Sequence, residues 1–162
     1  MDMGEEFYNI ISECYTCGGI YAVSADFRTD GIIQKFISKN PDCSILINSH
    51  KKIKKISDII GEIVGNSEKR SASFRDIIGN LNGKKILIVE NSQCLTPDML
   101  EIIRCFLDFF NSRGQTFGIL LSGTVSMTDS VFPANILVRI KRKAILKSIS
   151  NDYVGIDKNS DM

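Results

Sequence analysis

Residues 85–121 read KILIVENSQCLTPDMLEIIRCFLDFFNSRGQTFGILL, a complete strand–helix–strand unit. KILIVE (85–90) is near-continuously apolar and β-branched, as a strand buried on both faces should be. Thr96-Pro97-Asp98 then starts a helix: a hydroxyl at the N-cap, proline at the first helical position, an acid in the first turn. Met99, Ile103, Phe106 and Phe110 share one face of it, and Gly114 ends it. GILL (118–121) is the next strand.

The same alternation continues outward. GIYAV (19–23) and SILIN (44–48) are further buried-strand runs before this unit, and NILVRI (135–140) is one after it. Between them, residues 31–38 place Ile32, Ile33, Phe36 and Ile37 on one helical stripe that Pro41 stops. Ile53, Ile56, Ile60, Ile63 and Val64 recur at helical spacing. Residues 73–80 predict a short helix with Ser73 and Asp76 in capping-box positions. Alternating strands and helices predict an α/β three-layer sandwich on a parallel five-stranded sheet. The chain divides into one domain over residues 1–149 and a polar, flexible tail over 150–162.

Composition narrows the function classes. Twenty Lys+Arg stand against 19 Asp+Glu, net +1, which excludes a histone-like global electrostatic binder. No apolar run reaches the roughly 18–20 residues a bilayer span needs, and MDMGEEFYNI lacks the order of a signal peptide. A soluble, cytoplasmic chain without a membrane partner is expected. The five cysteines, Cys14, Cys17, Cys43, Cys94 and Cys105, are odd in number and read as reduced thiols. Cys14 and Cys17 form a C-x-x-C that precedes a strand, the wrong order for a redox motif, and no second close pair completes a zinc site. His50 is the only histidine and has no nucleophile motif beside it. No catalytic residue, metal or cofactor is called for.

Ligands of open α/β sheets sit at the carboxyl ends of the strands. Those ends carry Ser24-Ala25-Asp26, Glu90-Asn91 and Ser122-Gly123-Thr124. At these residues the chain resembles AAA-type P-loop ATPases, most specifically over 85–121 and in outline over about 15–145. The nearest subset is the phage Mu B and Tn7 C-type transposition ATPases. Glu90-Asn91-Ser92-Gln93 stands where that group has Asp-Glu-Ala-Gln/His, followed by Leu95, Thr96-Pro97, Glu101 and Arg104. By the same resemblance Thr124 takes the sensor 1 position and Arg139 the arginine of the fifth strand. No counterpart of the small helical lid that AAA proteins carry after that strand is expected in residues 141–162.

The departures from the family fall on its chemistry. A phosphate loop, G-x-x-x-x-G-K-[ST], uses glycines to bring backbone N–H groups round the phosphates, a lysine for charge and a hydroxyl for Mg²⁺. The aligned positions are Ser24 and Thr29 for the glycines, Asp30 for the lysine and Gly31 for the hydroxyl. Asp26 and Asp30 would both face a polyphosphate. Asn91 replaces the catalytic base and takes no proton from water. The expectation is a pseudo-ATPase. KKILIVEN and ILLSGT also resemble strands of a response-regulator receiver, but 84–162 is too short for its five βα units. A flavodoxin-like binder would need a phosphate loop after Val23, where DFRTD stands.

Charge is patchy. Lys51, Lys52, Lys54 and Lys55 form KKIKK, and Arg139, Lys141, Arg142, Lys143 and Lys147 form a second cluster. In the resembling ATPases, DNA is bound near where KKIKK stands, which would give salt-sensitive, non-specific contacts to phosphates. No aromatics interleave with these clusters as a single-strand stacking platform would need. The expected function is an inactive accessory or regulator, related to transposition or a phage or mobile element, binding DNA or a protein partner such as an active AAA ATPase or a transposase. Two alternatives remain: a protein-interaction module of immunity or inhibitor type, and a non-hydrolysing nucleotide sensor.

Overall fold

A computed structural model describes residues 2–41, 43–48, 74–124 and 132–148. The predicted helix over 53–64, the KKIKK lysines 51, 52, 54 and 55, His50, Ser73 and the tail 150–162 lie outside the described residues.

The chain opens with a helix that the sequence reading left unassigned. Helix α1 (Met3–Cys17) begins at Asp2, whose carboxylate accepts from the Gly4 amide at 2.8 Å. Glu5 and Glu6 follow in its first turn, a favourable place for acids. Phe7, Ile10, Ile11 and Cys14, at helical spacing, are buried, and the helix ends on Gly18 at φ 72°. Then come β1 (Gly19–Ala25), α2 (Asp30–Lys39), β2 (Ser44–Asn48), α3 (Phe74–Leu81) and β3 (Ile86–Glu90). A single 3₁₀ turn (Ser92–Cys94) leads to α4 (Pro97–Ser112), β4 (Gly118–Thr124), a one-turn α5 (Ala134–Leu137) and β5 (Ile140–Leu146). The Thr96 hydroxyl caps α4 as the sequence predicts, accepting from the Met99 amide at 3.3 Å.

All four strand pairings are parallel, in the order β2-β3-β4-β1-β5, giving the five-stranded sheet read from the sequence. Alternation along each strand feeds two cores. Ile20, Ala22, Leu87, Val89, Ile119 and Leu121 meet α3 and α4 on one face. Tyr21, Val23, Ile86, Ile88 and Leu120 meet α1 and α2 on the other. These are the three predicted layers. No helix among the described residues is long and apolar enough to cross a membrane.

The last strand corrects the sequence reading. The segment 135–140 was expected to be strand; Pro133 instead caps α5, whose Ile136 is buried, and β5 starts only at Ile140. Because β5 is an edge strand its pattern alternates, with Lys141, Lys143 and Ile145 exposed. Lysines along such an edge discourage pairing with another chain. Arg142, on the opposite face, fastens β5 to α1 through Glu13 (2.7 Å) and Glu6 (2.9 Å). The Tyr21 hydroxyl donates to the other Glu13 oxygen at 3.0 Å. Burial, with this hydrogen bond second, raises the Tyr21 phenol well above its ordinary range.

Candidate functional site

The carboxyl ends of β1, β3 and β4 converge on a cleft of about 280 Å³. Its wall takes Thr29 and Asp30 from the start of α2, Glu90 and Asn91 from the end of β3, and Thr124 from the end of β4. Five of the eight residues singled out from the sequence thus meet in one place. The cleft is slightly smaller than the roughly 300–1,000 Å³ of ordinary small-molecule sites.

The other three stand elsewhere. Ser24 is buried inside β1, in register with Gly123 and Ile145. Gly31 is exposed in the first turn of α2, and a Cβ built there meets nothing within 4 Å. A Ser or Thr would fit, so crowding does not explain the missing hydroxyl. Arg139 precedes β5 at the amino end of the sheet, away from the cleft. Its guanidinium donates to the Asn135 carbonyl at 2.9 Å and lies 3.7 Å from Asp108. The fifth-strand role implied for Arg139 is therefore corrected: α5 occupies the residues that were read as strand. Glu101 and Arg104 are likewise structural, bonded to each other on α4, with Asn135 donating to Glu101 and Arg104 to Asp108.

Asp26 also departs from expectation. Its carboxylate turns away from the cleft and accepts from the Ser148 amide at 2.7 Å, holding the chain that leaves β5. One carboxylate of the altered loop, not two, borders the cleft. That one, Asp30, is well placed to act against phosphate. Arg28 donates to it at 3.0 Å in an exposed ion pair. The Arg28 hydrogen bond and then its charge hold the Asp30 carboxyl below its usual range. Asp30 thus sets an acid in the first turn of α2, at the positive helix end that receives the ligand in a phosphate site.

Across the cleft, burial pushes the Glu90 carboxyl above its ordinary range, and the charge of Asp30 adds to the shift. Arg28, Asp30 and Glu90 leave the cleft with one excess negative charge. Asn91 beside them adopts a left-handed backbone, φ 57°, as the sole described non-glycine residue to do so. Asparagine tolerates this conformation better than most residues. It makes the corner that carries the chain from β3 into the 3₁₀ turn, where the Ser92 hydroxyl donates to the Val89 carbonyl at 2.9 Å. Gln93 reaches back to β4, accepting from the Thr124 amide at 3.3 Å. Sequence reasoning missed this link; the only signal was the Gln of the resembling quartet.

The Glu90 shift carries a testable sign. Its folded pKa exceeds the unfolded one, so the native state binds the proton more tightly and loses stability as pH rises from 4.5. Glu90→Gln is expected to raise the melting temperature at pH 7, with the gain fading as pH falls through 4.5. A pH-independent effect in differential scanning calorimetry would refute the assignment.

Cys14 is buried and donates to the Gly19 carbonyl at 3.8 Å, while Cys17 is exposed. Burial raises the Cys14 thiol far above its ordinary range, the state of an inert thiol. Among the described residues no group of His, Cys, Asp and Glu could hold a metal.

No protein-family model matches the chain, and no curated protein does. Solved structures do. The chain is similar to Pif1 helicase from Candida albicans at 14% identity and TM-score 0.56, over 91% of this chain and 39% of the helicase. It is similar to the Aeropyrum pernix ORC2 protein in its ADP form at 14% identity and TM-score 0.55, over 89% of this chain and 47% of that one. The chain thus spans less than half the length of either neighbour. At these identities the likeness is one of fold alone, an α/β fold on a parallel sheet.

Proposed function

We propose that this chain is a non-hydrolysing relative of the AAA-type P-loop ATPases that acts as an accessory or regulator of a protein partner. The observation that carries the reading is Asp30. Its carboxylate, paired with Arg28, stands in the first turn of α2 where a phosphate would otherwise lie, and its charge reaches Glu90 across the cleft. A polyphosphate entering there would displace an internal ion pair and then meet two acids. Like charges about 4 Å apart repel by roughly 1–4 kcal/mol at surface dielectrics. The Asn91 amide offers no base to activate water. The resemblance over residues 85–121 favours an active AAA ATPase or a transposase of a mobile element as the partner.

Titration with Mg-ATP tests the reading. No rise in melting temperature at millimolar nucleotide and no phosphate release are expected. Saturation at 100 times a dissociation constant would add about 2.7 kcal/mol. A shift of that size without turnover would replace this reading with that of a nucleotide sensor, and turnover would refute it outright. Co-expression with the proposed ATPase or transposase should give a complex on gel filtration that survives nuclease.

Three of the five cations in the second basic cluster make contacts within the chain. Arg139 and Arg142 face carboxylates, and Lys141 donates to the Cys17 carbonyl at 3.2 Å. A DNA role through the KKIKK lysines would show as affinity for duplex DNA near 50 mM salt that falls steeply as salt rises.

A further inference from the structure

Six arginines fall among the described residues. Four face carboxylates: Arg28 meets Asp30, Arg104 meets Glu101 and Asp108, Arg139 meets Asp108, and Arg142 meets Glu6 and Glu13. Arg75 and Arg113 have no acidic partner among the described residues. Both are exposed, and both line one groove of about 540 Å³ between α3 and the C-terminal end of α4. No described acid lines that groove. Two cations with no acidic partner among the described residues flank one concavity and favour an anion between them.

The remaining wall narrows the anion's chemistry. The Arg113 guanidinium lies over the Phe109 ring, 4.5 Å from its centroid. Phe109 meets Phe110 edge-on at 5.5 Å, and Phe110 stacks on Phe117 at 4.6 Å. The planar Arg113–Phe109 pair is thus backed by an aromatic column anchored in the core, so little ordering remains for a ligand to impose. Ile78 adds apolar surface, and the exposed amides of Asn82 and Gln115 offer donors and acceptors.

We propose that this groove binds one or two nucleotides of a single-stranded nucleic acid. Phosphate meets Arg75, a base stacks on the Arg113–Phe109 plane, and the two amides meet the base edge. Cations, a stacking plane and edge-reading amides together are the chemistry of single-strand recognition. An acidic peptide would use the charges but neither the plane nor the amides. The volume falls within the range of small-ligand sites. The groove lies at the amino ends of β3 and β4, which Asn82 and Gln115 precede, whereas the Glu90 cleft lies at their carboxyl ends. The proposal therefore goes beyond the reading of that cleft and does not depend on it.

Fluorescence anisotropy with a labelled oligothymidine near 50 mM salt tests it. The full chain should bind. Arg75→Ala with Arg113→Ala should weaken binding at least about tenfold and reduce the salt slope by about 0.7, for the one phosphate contact of Arg75. Arg113→Lys keeps the charge and removes the plane, and should still weaken binding about fivefold or more. Circular-dichroism melting establishes that each variant is folded. The proposal is overturned if the wild type does not bind, or if the double alanine variant binds as well as wild type. The second outcome would move any binding to Lys51, Lys52, Lys54 and Lys55. It is also overturned if oligoglutamate displaces the probe at equal charge while Arg113→Lys has no effect, which would assign the groove to an acidic peptide.

Discussion

A Phe7→Ala variant is expected to lose about 4 kcal/mol of stability, the usual size for a buried phenylalanine. For a domain of this length that is a fall of roughly 8–16 °C in melting temperature. Phe7 has no exposed surface and packs in the core that α1 and α2 share with Tyr21, Val23, Ile86, Ile88 and Leu120. Truncation leaves a void beneath α1, against strands held in place by their neighbours, so little collapse can fill it. Urea unfolding of wild type and variant measures the difference. A loss below about 1 kcal/mol would mean that α1 is an appendage, and the three-layer description would fail on that face.

Gly118→Ala is the second large effect. A Cβ at Gly118 would stand 2.4 Å from the Cys14 carbonyl oxygen and 2.9 Å from its sulfur. The nearer obstacle is backbone and cannot rotate away. That same carbonyl accepts from the Gly18 amide at 2.9 Å to close α1, and Gly118 itself donates to the Lys85 carbonyl at 2.8 Å. A single methyl must therefore lift the end of α1 or bend the central strand β4. The expected cost is about 3 kcal/mol, near the upper end for overpacking, or roughly 6–12 °C. Gly31→Ala is the control, since a Cβ there meets nothing within 4 Å. Equal melting temperatures for the two variants would refute the close approach.

Most of the sheet was legible because its strands are buried on both faces. KILIVE, GIYAV and GILL are near-continuous apolar runs bounded by turn residues. The cleft was legible for the same reason: strand ends locate it, and Thr29, Asp30, Glu90, Asn91 and Thr124 fall at strand ends or the next helix start. Two elements escaped. The stripe of α1 is Phe7, Ile10, Ile11 and Cys14, four residues interleaved with acids, and its period is plain only when residues 2–17 are read as one unit. β5 escaped because an edge strand alternates; IKRKAIL looks less like a strand than the apolar NILVRI before it, although α5 takes most of that run. Side-chain pairing across the fold left no signal in sequence. Asp26 holding Ser148, and Arg142 joining Glu6 and Glu13, are both products of geometry.

The strand order has a consequence for synthesis. β1 is made first yet sits between β4 and β5, so Gly19 must wait for Gly118 and Ile20 for Ile140. While the ribosome is still working, the apolar stretch of β1 has no lasting partner, and such long-range pairing forms slowly. The sheet can thus close around β1 only once both β4 and β5 have been made.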